Sequence, residues 1–217
     1  KRFKRRNNTR AWLADNLERI NIAPFLNISQ NIPGHFNSQD ELAIQTISQL
    51  VPKNGSIVEV GSLHGASACC WAEYLDPSVT IYCIDTWSGE KWKTGYRNSL
   101  ENFNYFTKKY NNIIPIKGRS PDEVLWFNKE IDLYFDDGWH DNPQLKINLN
   151  FWIPKIKLTG YLSGHDYYDP HKFSGSPKFD VYGEVQKLKR QFNNLKILPS
   201  TGPGCVWLIK KQLSNDA

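Results

Sequence analysis

A chain of 217 residues, 40% apolar and 23% charged, has material for one sizeable core and reads as a single globular body. No apolar run approaches the roughly 18–20 residues of a membrane span, and none follows the basic start as in a secretory leader, so a cytoplasmic setting is expected. The formal charge of +5 is concentrated in one place: six of the 27 basic residues lie in "KRFKRRNNTR", and the other 21 stand against 22 acids. Any attraction to nucleic acid or anionic surfaces therefore belongs to that arm and not to the nearly neutral body.

The expected division is a basic arm and lead-in over residues 1–37 and a folded domain over 38–217. The chain has no methionine, even at position 1, as expected of a piece of a longer protein. Cys69, Cys70, Cys83 and Cys205 form no CxxC pair and read as reduced, buried thiols.

In chain order, "SQDELAIQTISQLV" (38–51) reads as a helix with Ser38 as N-cap, Glu41 three residues on, and Ala43, Ile44, Ile47, Leu50 and Val51 on one face. Strand signals follow at 56–60, 80–84, 113–116, 131–135, 161–163, 195–198 and 205–209. Helical stretches at 66–75, 98–109, 121–128, 142–153 and 181–192 separate most of them. The alternation predicts an α/β fold: a doubly wound, mostly parallel, seven-stranded sheet with helices on both faces. The short "PSTGPG" between the last two strands leaves no room for a crossover, so they should form an antiparallel hairpin.

Ligands of such sheets sit beyond the carboxyl ends of the strands. Those ends carry "GSLHG", Asp85-Thr86-Trp87, Gly118-Arg119-Ser120, "DDGWH" and "GHDYYD" in turn. The first is neither GxGxxG nor a phosphate loop, and Glu59 beside it disfavours a pyrophosphate. A cationic or polyhydroxyl ligand fits better. Asp85 is placed to accept from a ribose diol, and Trp87 to cover an adenine face.

"VEVGSLHGAS" followed by "IYCIDTW" resembles the first two motifs of class I S-adenosylmethionine-dependent methyltransferases. The resemblance implies a Rossmann-like fold over about residues 38–210. It implies contacts to S-adenosylmethionine from Glu59, Gly61, Ser62, Gly65 and Ser67 around the turn. It implies Asp85 on the ribose, Trp87 beside the base, and Gly118 and Ser120 near the adenine. Glu59 would orient the turn and balance the cationic end of the cofactor, and the glycines would make room for it.

The stretch from "IDLYFDDGWH" to "GHDYYD" resembles a branch that holds metal-dependent sugar O-methyltransferases and cephalosporin-hydroxylase-like proteins. It implies a divalent metal, Mg²⁺ or Mn²⁺, on Asp137, His165 and Asp166, with His140 as general base and Asp137 in the catalytic set. His165 stands where the sugar enzymes carry an acid, which leaves Asp137 and Asp166 alone as an alternative ligand pair. Trp139, Tyr167, Tyr168, Trp92 and the segment 169–180 are expected around the acceptor; His64 and His171 are expected to be bystanders.

The function expected is O-methylation of a small molecule or glycan. The competing readings are a nucleic-acid methyltransferase using the arm, a non-catalytic domain of the same fold, and a hydroxylase-like relative. No Asn/Asp-Pro-Pro-aromatic loop follows the fourth strand, which counts against the first of these. A homo-oligomer stays open, and no membrane span is expected.

Overall fold

The computed structural model describes residues 26–91, 95–171, 179–198 and 205–212. The expectations for the basic arm, Trp92 and residues 172–178 lie outside the described residues.

Seven strands form one sheet in the order β3-β2-β1-β4-β5-β7-β6. They are β1 (Ser56–Val60), β2 (Thr80–Asp85), β3 (Ile113–Lys117), β4 (Ile131–Asp136), β5 (Ile156–Gly164), β6 (Lys196–Ile197) and β7 (Trp207–Lys210). The first five are mutually parallel; β7 runs antiparallel to both β5 and β6. The predicted fold class and terminal hairpin are thus present. The order turns back between β1 and β4, and a cleft opens beyond the carboxyl ends of strands at such a switch point.

Period-two alternation divides the core. Ile57, Cys83, Leu133 and Phe135 pack against α1 (Ser38–Ser48), α2 (Ala66–Tyr74) and α3 (Leu100–Thr107). Val58, Val60, Ile84 and Tyr134 face the other way, onto α4 (Gln144–Trp152) and α5 (Val181–Phe192). Both faces are covered, which is why β4 is buried along its whole length.

Three sequence expectations need correction. The N-cap of α1 is Asn37, with Asp40 closing the capping box, and not Ser38 with Glu41. Glu41 instead accepts from the Ser29 backbone and hydroxyl and from the Tyr74 hydroxyl. That fastens a short 3₁₀ turn, Ile28–Asn31, onto α1 and α2.

The helix expected at 121–128 is a run of turns, with Val124 N–H donating to Pro121 and Phe127 N–H to Val124. Pro121, Val124 and Phe127 are buried, three residues apart as successive i→i+3 turns place them, while Leu125 and Trp126 face solvent. β5 begins at Ile156, five residues before the expected Tyr161.

Trp152 anchors the α4 face. It is fully buried, stacks on Tyr134 with centroids 5.5 Å apart, and donates to Ser120 Oγ at 2.9 Å. Trp152→Ala should cost about 3–5 kcal/mol of unfolding free energy, as for large aromatic truncations in cores, read from urea denaturation.

Candidate active site

A cleft of about 800 Å³ opens between the loops after β1 and β4. Its size suits a nucleoside-sized ligand together with a second small molecule.

The turn after β1 is held by the protein's own chain. Gly61 has φ 93°, and a Cβ there would lie 2.2 Å from the carbonyl oxygen of Asp137. Gly65, at φ 90°, sits where a Cβ would lie 2.7 Å from Thr107 Cγ2 on α3. The close approach that these glycines permit is therefore by the β4 loop and α3. Between them Leu63 adopts a strained φ of 44°. Its N–H donates to Asp85 Oδ2 at 2.9 Å, and its carbonyl accepts from Trp87 Nε1 at 2.8 Å.

Trp87 is thus a brace for this turn. It is 2% exposed, packs on Phe103 at 4.8 Å, and does not line the cleft, contrary to the expectation that it covers a base. Of the cleft-lining aromatic residues, Trp139 reaches Ser120, its Nε1 donating to the Ser120 carbonyl at 2.8 Å.

Glu59 also lies behind the wall, fully buried on the α2 side, with Trp71 Nε1 donating to it at 2.9 Å. Burial raises its pKa, against the pull of the Ser62 and Ser67 hydroxyls and the Trp71 indole. Gly61, Ser62, Ser67, Asp85, Gly118 and Ser120 line the cleft, whereas Glu59 and Gly65 support it from behind.

Asp85 still fits a diol. Its Oδ1 accepts from Thr86, Trp87 and Asn98, whereas Oδ2 accepts from Leu63 alone, so Oδ2 is the oxygen with a position left for a diol hydroxyl. His64 is turned away from ligand duty, with its two ring nitrogens each 3.0 Å from a carbonyl oxygen, of Pro33 and Arg97.

The other end of the cleft is built on β4 and β5. Asp136 closes β4 and is buried, accepting from Tyr134 Oη, Asn148 Nδ2 and the Gly138 N–H. Burial raises its pKa, with those donors opposing. Asp137 follows, its N–H on the Val60 carbonyl at 2.9 Å. His140 Nε2 lies 2.6 Å from Asp166 Oδ2, and its ring stacks on Phe179 at 4.6 Å. Asp166 itself holds a left-handed φ of 57°. Such backbone strain in a non-glycine residue clusters at functional sites.

One ligand atom each from Asp137, His140 and Asp166 falls within 4.8 Å of the others, a spacing able to hold a metal ion. His165 stands beside this group. Its Nε2 is 3.1 Å from Asp40 Oδ1, and its Nδ1 is 3.4 Å from Asp166 and 3.8 Å from Asp137. Both imidazoles thus lie beside the two carboxylates, His140 within the group of three and His165 with its Nδ1 within 4 Å of each acid.

Burial alone would lower His140, but the hydrogen bond and charge of Asp166 outweigh it and raise the pKa. For Asp166 burial acts upward, and its bonds to His140 and His165 outweigh it, holding the carboxyl below the usual range. Burial raises Asp137, with His165 opposing.

Two further corrections concern the acceptor wall. Tyr167 is core, 5% exposed, its hydroxyl accepting from Gln186 Nε2, while Tyr168 lines the cleft. Residues 33–37, placed by the sequence outside the domain, form part of the cleft wall. His171 is exposed and off the cleft.

A family model described as a methyltransferase domain matches residues 58–167, half of the chain. The chain belongs to the methyltransferase-domain family. No curated protein matches it by sequence. Solved structures with the same fold include a Corynebacterium glutamicum protein (14% identity, 97% of this chain and 99% of that one, TM-score 0.62). A Bacillus cereus O-methyltransferase in complex with SAH is 13% identical over 93% of this chain and 96% of that one, with a TM-score of 0.59. A Nostoc punctiforme protein is 16% identical over 80% of this chain, which spans 57% of that protein's length, with a TM-score of 0.56.

The chain thus carries a methyltransferase domain, in a fold that it shares with an O-methyltransferase solved with SAH. No helix among its described residues is long and apolar enough to cross a membrane.

The buried Glu59 sets a pH dependence of stability. A carboxyl whose folded pKa is raised contributes fully below its unfolded value, about 4.3, and loses that contribution as pH rises through the folded value. Glutamine does not titrate, so Glu59→Gln should gain stability relative to the wild type between pH 5 and pH 8. Urea unfolding at both pH values reads this; a difference independent of pH would show that Glu59 does not change its protonation on folding.

Proposed function

We propose that the methyltransferase moves a methyl group to a hydroxyl oxygen of a small molecule or glycan, with His140 taking the hydroxyl proton. The observation carrying this reading is the 2.6 Å contact of His140 with Asp166 inside the cleft that Asp85 and Ser120 also line. A hydroxyl is a weak nucleophile near neutral pH, and a positioned base typically contributes about 10²–10⁴-fold. When Asp166 accepts from Nε2–H, the neutral ring carries its lone pair on Nδ1, and Phe179 against the ring face limits its rotation.

S-adenosylmethionine, when bound, supplies an electrophilic methyl group on a sulfonium. Asp85 would accept from its ribose, and Gly118 and Ser120 would lie nearest its adenine beside Trp139. Gly61, Ser62 and Ser67 would flank its amino-acid part, with Glu59, Gly65 and Trp87 keeping the turn in shape from behind.

The hard oxygens and imidazole of Asp137, His140 and Asp166 fit Mg²⁺ or Mn²⁺, and the chemistry such an ion supplies is Lewis-acid activation of a hydroxyl. Asp137 and Asp166 would hold such an ion, and His140 would serve as base only where it is not itself a ligand. The aromatic wall of Trp139, Tyr168, Phe36 and Phe179 suits the face of a sugar or a phenol.

His140→Ala should lower methyl transfer by about 10²–10⁴-fold while S-adenosylhomocysteine affinity and Mn²⁺ affinity stay within a few-fold. The measurements are product mass against a panel of sugars and phenols, with and without chelator, and calorimetry for each ligand. Equal loss of transfer and cofactor binding would remove the base assignment; loss of Mn²⁺ affinity would make His140 a ligand instead.

A further inference from the structure

We infer that Asp40 is a positioning residue for the acid–histidine cluster, holding the His165 ring between α1 and the carboxylates of Asp137 and Asp166. The inference rests on the proposed role of that cluster. Asp40 is 1% exposed and does not line the cleft, so whatever it does for a bound molecule it does through another residue.

A buried carboxylate is costly unless each oxygen has a partner. One oxygen of Asp40 accepts the Asn37 N–H at 2.9 Å, closing the cap of α1. The other makes no hydrogen bond and has His165 Nε2 facing it at an ion-pair distance of 3.1 Å. The ring then presents its opposite nitrogen to Asp166 and Asp137, at 3.4 and 3.8 Å, while Phe36 stands 6.0 Å from it.

The same carboxylate thus joins two parts of the site. Through the cap it fixes where the cleft-lining residues 33–37 run into α1. Through His165 it fixes the two carboxylates beyond β4 and β5. Asp166 needs such an external hold, because its φ of 57° is not one an aspartate prefers unaided.

Asp40→Asn tests this, since the amide oxygen can still accept the Asn37 N–H while the charge facing His165 is gone. Long-range ¹H–¹⁵N spectra of the imidazoles at one fixed pH should show the ring signals of both His165 and His140 displaced. Mn²⁺ affinity, from paramagnetic resonance titration, should fall about tenfold or more, as for other residues that orient metal ligands. S-adenosylhomocysteine affinity should stay within about twofold of the wild type. Glu41→Gln, the neighbouring buried acid that instead holds Ser29 and Tyr74, should leave the ring signals in place.

Unmoved His140 signals in Asp40→Asn would overturn the inference, as would an unchanged Mn²⁺ affinity where the wild type binds the ion. If the wild type binds no Mn²⁺, the metal reading falls by itself and the His140 signals alone decide this one. Asp40→Ser, whose hydroxyl can also cap, serves if Asp40→Asn does not fold.

Discussion

The backbone of Asp137 lies so close to Gly61 that no side chain fits between them, and the rest of the site depends on that contact. It follows from the parallel pairing of β1 with β4, which brings their two exit loops together at the point where the sheet order reverses. Asp137 donates its N–H to Val60, and Gly61 donates its own to Ile84. The exits of β1, β2 and β4 are thereby pinned to one another by main-chain bonds. One loop carries residues for a nucleoside ligand and the other the acid–histidine cluster, so the two ends of the cleft share a wall.

Beneath each loop sits a buried acid tied to the helix that follows its strand. Glu59 on β1 accepts from Trp71 of α2. Asp136 on β4 accepts from Asn148 of α4 and from Tyr134. Ser120, from the loop after β3, donates to Asn148 and accepts from Trp152, so the second network also holds the Ser120 edge of the cleft. Hydrogen bonds of this kind in a low-dielectric core hold the backbone above them. Each loop is therefore oriented by its own βα unit as well as by its neighbour.

The fold was legible because the strands are short apolar runs that end in glycine or acid. Those signals survive any tertiary context that keeps a two-sided sheet. Asp137, His140, His165 and Asp166 were legible through the resemblance of "DDGWH" and "GHDYYD" to one family branch, and the pairing of β4 with β5 brings those two strand ends together. Side-chain direction was not. Trp87 is two residues from Asp85 in a binding motif, yet its positive-φ backbone turns it into the core. At 37–41 two overlapping capping patterns fit the sequence equally, and only tertiary demand separates them: Glu41 is drawn to Ser29 and Tyr74, leaving Asp40 to cap. The partnership of Asp40 with His165 has no sequence signal, because capping explains the acid locally and the contact spans most of the domain.

The charge at the acceptor end bears on what can enter. Asp137 and Asp166 face the cleft, and the walls nearby are aromatic: Phe36, Trp139, Tyr168 and Phe179. Two imidazoles stand beside those acids, His140 and His165, whose pKa values burial would lower but Asp166 raises, so the cluster is not a plain anionic patch. Nucleic-acid sites instead line the backbone path with Lys and Arg. Arg119, over the Trp139 ring at 5.9 Å, belongs to the Ser120 side of the cleft and not to the His140 side. Under the proposed function, an uncharged polyol or phenol would rest its ring face on the aromatic wall and turn its hydroxyls toward the acid–histidine cluster.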